Sequence, residues 1–213
     1  MIAALVFDLD GVIVDSNAIH VRAWERYLAM HGRPLPPQPD SVIFGRHNDE
    51  IVRALFGDHL SPEEVAAHGA AKEALYRQMM RPVLRERLVP GVVEFVERWS
   101  HLPLALASNA ERANVEFVLE EAGLRRWFRV VVDGQGVRTP KPDPEIYRVV
   151  AEQLGVAPGS CVVFEDSPAG VAAARAAGAR VVGVLTTYKE LPGVRLAVRD
   201  FRDPELEQWL RSQ

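Results

Sequence analysis

Leu5-Val6-Phe7-Asp8-Leu9-Asp10-Gly11-Val12-Ile13-Val14-Asp15-Ser16 sets two carboxylates, one residue apart, inside an apolar run and follows them with a glycine. The run before Asp8 reads as a buried strand, and Gly11 as the turn at its end. Charge in that place needs a partner. An unpaired buried carboxylate is costly, and two anions that start close together repel, so the pair must meet a cation or share a proton. A metal ion answers both carboxylates at once.

Working outward, the chain after Pro90 alternates helical stretches with short apolar runs. The pattern predicts helices over 92–100, 111–122, 144–154 and 168–177, and strands over 104–107, 130–132, 161–164 and 181–185. Such alternation implies a parallel sheet covered by helices on both faces. Between the first strand and this region the character is helical. Asp15 or Ser16 is placed to cap a helix running to about His31, with Gly32 at its C′ position. Residues 33–39 hold four closely spaced prolines and form a stiff connection. A second helix follows Asn48 with Ile51, Leu55 and Phe56 as its apolar stripe and Gly57 at its end. Ser61-Pro62-Glu63-Glu64 combines a capping box with Pro at N1 and opens a third helix that reaches Arg81 before Pro82. The expected fold class is α/β, a doubly wound parallel-sheet core of residues 1–14 and 83–213, with 15–82 inserted as an α-helical cap.

On open α/β sheets, ligands bind outside the carboxyl ends of the strands, so the residue after each run matters most. Asp8 and Asp10 end the first strand, and Ser108-Asn109 the second. Lys141, in Thr139-Pro140-Lys141-Pro142, lies in the loop beyond the third, and Glu165-Asp166 ends the fourth. Each has an ordinary reading: Lys141 as a loop lysine, Ser108 as a helix cap, Glu165-Asp166 as an acidic first turn. Their convergence on one edge is what those readings do not explain.

Composition narrows the field. At 213 residues the chain fits one domain with a modest insertion, and 48% hydrophobic with 25% charged residues is ordinary globular usage. A net charge of −4 speaks against a nucleic-acid binder, which needs a basic stripe. No apolar run approaches the ~18 residues of a spanning helix and no basic leader precedes the first strand, so the expectation is a cytoplasmic protein away from membranes. The single Cys161 sits in an apolar run and reads as a small buried residue. Only Lys72, Lys141 and Lys189 among the 25 basic residues are lysines, which suggests sites where a compact ammonium is preferred to a guanidinium.

Phe7-Asp8-Leu9-Asp10-Gly11-Val12 with Asp15-Ser16 closely resembles motif I of the haloacid dehalogenase superfamily. Ser108, Lys141 and Glu165-Asp166 match its motif II hydroxyl, motif III lysine and motif IV acidic pair, in the expected order. The resemblance is strongest to the branch of beta-phosphoglucomutase and related sugar-phosphate phosphatases, whose helical cap follows motif I. It implies that Asp8 is a nucleophile that becomes an aspartyl phosphate and that Asp10 is the general acid and base. It further implies that Ser108 hydrogen-bonds an oxygen of the transferring phosphoryl group and that Lys141 supplies a fixed positive charge beside that group and Asp8, with Asn109 among the substrate-binding residues. Mg2+ is the implied cofactor, held by Asp8, Asp166, the main-chain carbonyl of Asp10 and Glu165; the oxygen donors suit it, and no Cys/His spacing for zinc is present. In the cap, His20, Trp24, Arg46, Asn48 and Lys72 resemble residues that meet substrate in that branch.

The resulting expectation is a magnesium-dependent phosphatase of small phosphorylated metabolites, a monomer with sugar phosphates as substrates. A phosphomutase shares every core residue and is the nearest rival. A dehalogenase lacks the acid and base matching Asp10, and a phosphonatase needs a Schiff-base lysine in the cap, for which only Lys72 stands. A binding protein on a retained fold is the remaining class, disfavoured because nucleophile, acid, lysine and metal carboxylates are all present.

Overall fold

The computed structural model describes residues 1–43 and 47–213. The first strand, β1 (Ala4–Phe7), is buried along its whole length and ends where Asp8 begins. The chain then enters a helical region of α1 (Asn17–Met30), α2 (Pro39–Ile43), α3 (Asn48–Phe56) and α4 (Pro62–Met80). After a 3-10 stretch over Arg81–Arg87, the alternating part follows: α5 (Val92–Arg98), β2 (Leu104–Ala107), α6 (Arg112–Glu121), β3 (Phe128–Val132) and α7 (Glu145–Leu154). It closes with β4 (Cys161–Glu165), α8 (Pro168–Ala177), β5 (Arg180–Val184), β6 (Leu196–Val198) and α9 (Pro204–Arg211). Two units emerge, one of Met1–Asp15 with Leu84–Gln213 and one of Ser16–Val83.

In the first unit all six strands pair in parallel in the order β3-β2-β1-β4-β5-β6. β1, β2 and β4 are buried at every residue, as strands covered on both faces must be. One face carries Phe7, whose ring stacks on Phe164 at 4.8 Å and meets Phe128 edge-on at 5.7 Å. On the other, Val6, Ala105, Val130 and Val163 pack with Ile146, Tyr147 and Val150 of α7 and with Ala173 and Ala174 of α8. The strand order reverses between β1 and β4, and it is there that a doubly wound sheet opens a crevice at its carboxyl edge.

The second unit has its own core, in which Trp24, Tyr27 and Leu28 of α1 pack with Ile51, Val52 and Phe56 of α3 and Val65 of α4. The capping box that opens α4 is formed: Ser61 accepts from the Glu64 N–H, and the Glu64 carboxylate accepts from the Ser61 N–H at 2.8 Å.

Several local expectations change. Ser16 holds the N-cap position of α1, but its side chain makes no capping bond and its backbone is already helical, so the helix starts without a side-chain cap. Pro39 does not extend the stiff connection; it is the first residue of α2, where a missing N–H costs nothing. The helical path also continues past Pro82 as a 3-10 stretch. β6 and α9 were absent from the sequence pattern: β6 is a three-residue edge strand, and α9 is a short helix announced only by its Asp203 cap and Pro204.

Candidate active site

Asp8 leaves β1 at the point where its N–H donates to the Phe164 carbonyl of β4, 3.0 Å away, so the carboxylate is fixed between the two central strands. Lys141 reaches this place from the loop before α7. Its ammonium donates to Asp8 Oδ1 at 2.6 Å, to Glu165 Oε1 at 2.6 Å and to the Ala107 carbonyl at 2.9 Å, which uses all three of its protons. The backbone of the same residue is pinned as well, its N–H donating to Asn109 Oδ1 at 3.2 Å. Ser108 is buried at the end of β2, and its hydroxyl oxygen accepts from the Ala110 N–H.

Glu165 is wholly buried and surrounded by donors. Besides Lys141, its Oε1 accepts from the Tyr147 hydroxyl at 2.6 Å, while Oε2 accepts from the N–H groups of Asp166 and Ser167 and from the Ser167 hydroxyl. Room for this carboxylate exists because α8 passes it with Gly170, where any Cβ would collide with the carboxyl group. Asp166 accepts a short hydrogen bond from the Thr187 hydroxyl, and Thr186 donates to the Gly11 carbonyl at 2.6 Å. Gly11 has φ +77°, and a side chain there would strike Asp166, so both its conformation and its neighbour demand glycine.

Asp8, Glu165 and Asp166 each offer a carboxylate oxygen, and these oxygens lie within 4.8 Å of one another. Burial, together with Glu165 and Asp10, pushes the Asp8 carboxyl up to about 7 despite the opposing pull of Lys141. Asp166 is raised well above the carboxylate range by burial and by Glu165 and Asp8. Burial works against the charge on Lys141, but Asp8 and Glu165 outweigh it and hold the ammonium protonated far above its usual range. One lysine thus faces an excess of buried negative charge. An all-oxygen donor set in this condition suits a hard divalent cation.

The second unit contains a separate buried polar cluster. Lys72 and Glu73 of α4 pair at 2.5 Å, the Asn48 amide of α3 donates to the same Glu73 oxygen at 2.8 Å, and His20 of α1 lies 3.3 Å from the Lys72 ammonium. Lys72 also sits over the Trp24 ring, 4.9 Å from its centroid, and His20 stacks on Tyr76. Arg46 lies outside the described residues. Cys161 is buried, and burial raises its thiol further, which leaves it inert.

The structure therefore brings Asp8, Lys141, Glu165 and Asp166 into one cluster with Ser108 and Asn109 on neighbouring elements, and gathers His20, Trp24, Asn48 and Lys72 in another. Sequence reasoning missed Tyr147, Thr187 and Glu73. For Thr187 a signal was present, since it follows a strand at the same sheet edge; Tyr147 and Glu73 carry no such mark within their helices.

The family model for haloacid dehalogenase-like hydrolases matches residues 2–178. The chain is 34% identical to the fructose-1-phosphate phosphatase YqaB of Escherichia coli, over 85% of this chain and 96% of that protein. It is likewise 34% identical to the phosphorylated carbohydrates phosphatase of Thermotoga maritima, over 88% of this chain and 87% of the relative. Among solved structures, the beta-phosphoglucomutase of Clostridium difficile superposes with a TM-score of 0.86 at 26% identity, covering 98% of this chain and 96% of that one. With its doubly wound core and helical insertion, the chain belongs to the haloacid dehalogenase-like hydrolase family and is an enzyme of it, a phosphatase.

Proposed function

We propose that the protein is a magnesium-dependent phosphatase of sugar phosphates that works through an aspartyl phosphate on Asp8. The observation that carries this reading is the Lys141 clamp: a buried carboxylate held 2.6 Å from a protonated lysine, at the sheet's switch point, among further acidic groups. Asp8 and Asp166, with the main-chain carbonyl of Asp10, would hold Mg2+. When bound, the ion would offset the repulsion between the Asp8 carboxylate and the phosphoryl oxygens. Glu165, whose oxygens are already engaged by protein donors, serves as the counter-ion that fixes Lys141, which narrows the ligand set expected from the sequence.

In this reading one Asp8 oxygen attacks phosphorus and the bond to the sugar oxygen breaks. The Asp10 carboxyl gives its proton to that departing oxygen. Water then attacks the phosphorus of the aspartyl phosphate, the acyl phosphate bond breaks, and Asp10 takes the proton from the water. The Ser108 hydroxyl donates to a phosphoryl oxygen, and the fixed charge of Lys141 beside Asp8 offsets the charge on the group and keeps it in line. His20, Trp24, Arg46, Asn48 and Lys72 contact the sugar, with Asn109 near the phosphoryl end.

The test is a hydrolysis screen over phosphorylated sugars with excess chelator or added Mg2+. Phosphate release that chelation abolishes and Mg2+ restores is expected; undiminished release in chelator contradicts the reading. Because the structural relatives include a beta-phosphoglucomutase, the screen includes beta-glucose 1-phosphate with a trace of glucose 1,6-bisphosphate. Rapid formation of glucose 6-phosphate with negligible phosphate release would favour a mutase.

A further inference from the structure

The polar cluster of the second unit occupies positions where α4 should be apolar. Its buried residues Val65, Gly69, Lys72, Glu73, Tyr76 and Met80 follow helical spacing, and the charged pair falls in the middle of that stripe. Neighbours in sequence on a helix do not ordinarily face each other, yet the Lys72 ammonium reaches Glu73 Oε1 at 2.5 Å, with side chains only 2% and 5% exposed. A buried ion pair of this kind seldom stabilises a fold more than apolar residues of the same size, so its retention points to recognition. The Trp24 ring beneath the ammonium also carries a buried indole N–H with no acceptor among the described residues, a donor that a ligand oxygen would satisfy.

We infer that Glu73 is a specificity-determining residue, which converts the Lys72 site from a receptor for a second phosphate into one for the hydroxyl groups of a monophosphorylated polyol. The inference rests on the reading above, in which residues of this unit meet the sugar. A lysine alone would attract any anion. With Glu73 in contact and Asn48 donating to that same carboxylate at 2.8 Å, the site presents opposed charges side by side. A phosphate dianion approaching Lys72 meets the Glu73 carboxylate within the same contact distance, and its desolvation is not repaid. Neutral hydroxyl groups both donate and accept, and suit such a mixed site without charge conflict. His20, 3.9 Å from Glu73 Oε2 and 3.3 Å from Lys72, adds a ring nitrogen to the same set.

The experiment compares kcat/KM for fructose 1-phosphate and fructose 1,6-bisphosphate in the wild type and in Glu73→Gln, with p-nitrophenyl phosphate as a control for the wild type. The wild type should favour the monophosphate by at least about tenfold, and Glu73→Gln should shift the ratio toward the bisphosphate by a similar factor. Taking the ratio cancels any general loss of activity, and a thermal melt checks that the variant is folded. If it is not, the wild-type preference decides alone. A wild type that handles the bisphosphate as well as the monophosphate, or a folded Glu73→Gln with an unchanged ratio, overturns the role of Glu73 and leaves the phosphatase reading standing. A wild type that hydrolyses neither sugar phosphate nor p-nitrophenyl phosphate removes the phosphatase reading itself.

Discussion

Lys141 spends its three protons on Asp8, Glu165 and a carbonyl of β2, so it cannot swing away from the Asp8 carboxylate without leaving two buried anions uncompensated. This fixed geometry is why the proposal gives Asp8 to covalent chemistry and leaves Asp10 for proton transfer. Asp8→Asn should lower turnover by more than about a hundredfold, because the amide is nearly isosteric but a poor nucleophile. Asp10→Asn should be similarly impaired yet still bind Mg2+, since only its main-chain carbonyl is assigned to the ion. Isothermal titration on both variants checks this, and lost metal affinity in Asp10→Asn would contradict the assignment. These groups were legible in the sequence because each follows a buried strand, where charge is conspicuous. Tyr147 was not, because it lies on the buried face of α7 among apolar residues and only the fold reveals its hydroxyl on Glu165.

At the scale of elements, the site depends on how closely α8 passes the end of β4. Ser167 caps α8 by accepting from the Gly170 N–H, its own hydroxyl donates to Glu165, and Gly170 leaves the space that the Glu165 carboxylate fills. Gly170→Ala should therefore destabilise the protein by about 1–3 kcal/mol, as overpacking does, and lower activity by displacing the counter-ion of Lys141. Urea unfolding and steady-state rates measure the two effects; unchanged values would show that α8 yields freely. The strands from β1 to β5 and their helices announced themselves by alternation and by turn residues. β6 did not, since Leu196-Ala197-Val198 is too short for a period to show, and it is defined by pairing with β5. The unprompted 3-10 stretch over Arg81–Arg87 has a similar origin, because Pro82 blocks one helical bond without forbidding helical dihedrals.

For the whole molecule, the buried acidic groups should make stability depend on pH and on the metal proposed for them. Burial and neighbouring carboxylates raise Asp8 from 3.8 to about 7, and raise Asp166 in the same direction. An acid whose folded pKa is raised binds more protons in the native state than in the unfolded one. Its contribution to stability therefore falls as pH rises through the window from 3.8 to about 7 and stays low above it. In chelator, the melting temperature should be higher at the acidic end of that window than above it, and Mg2+ should raise it most at the alkaline end, where the carboxylates are ionised. An Mg2+ effect that grows toward acid pH would contradict the placement of the ion among these groups.

The central claim is that Asp8 carries the phosphoryl group between sugar and water, and Asp10→Asn isolates that species. Acetyl phosphate has a leaving group that needs no protonation, so this variant should still transfer phosphate to Asp8, while the water that must remove it lacks its base. The decisive measurement is mass spectrometry of the acid-quenched Asp10→Asn protein after incubation with Mg2+ and acetyl phosphate. The account predicts added mass of one phosphoryl group, located on the peptide containing Asp8 and absent from the Asp8→Asn/Asp10→Asn double variant. Phosphate release by the wild type with no phosphoryl group on that peptide, or the same added mass in the double variant, would contradict it.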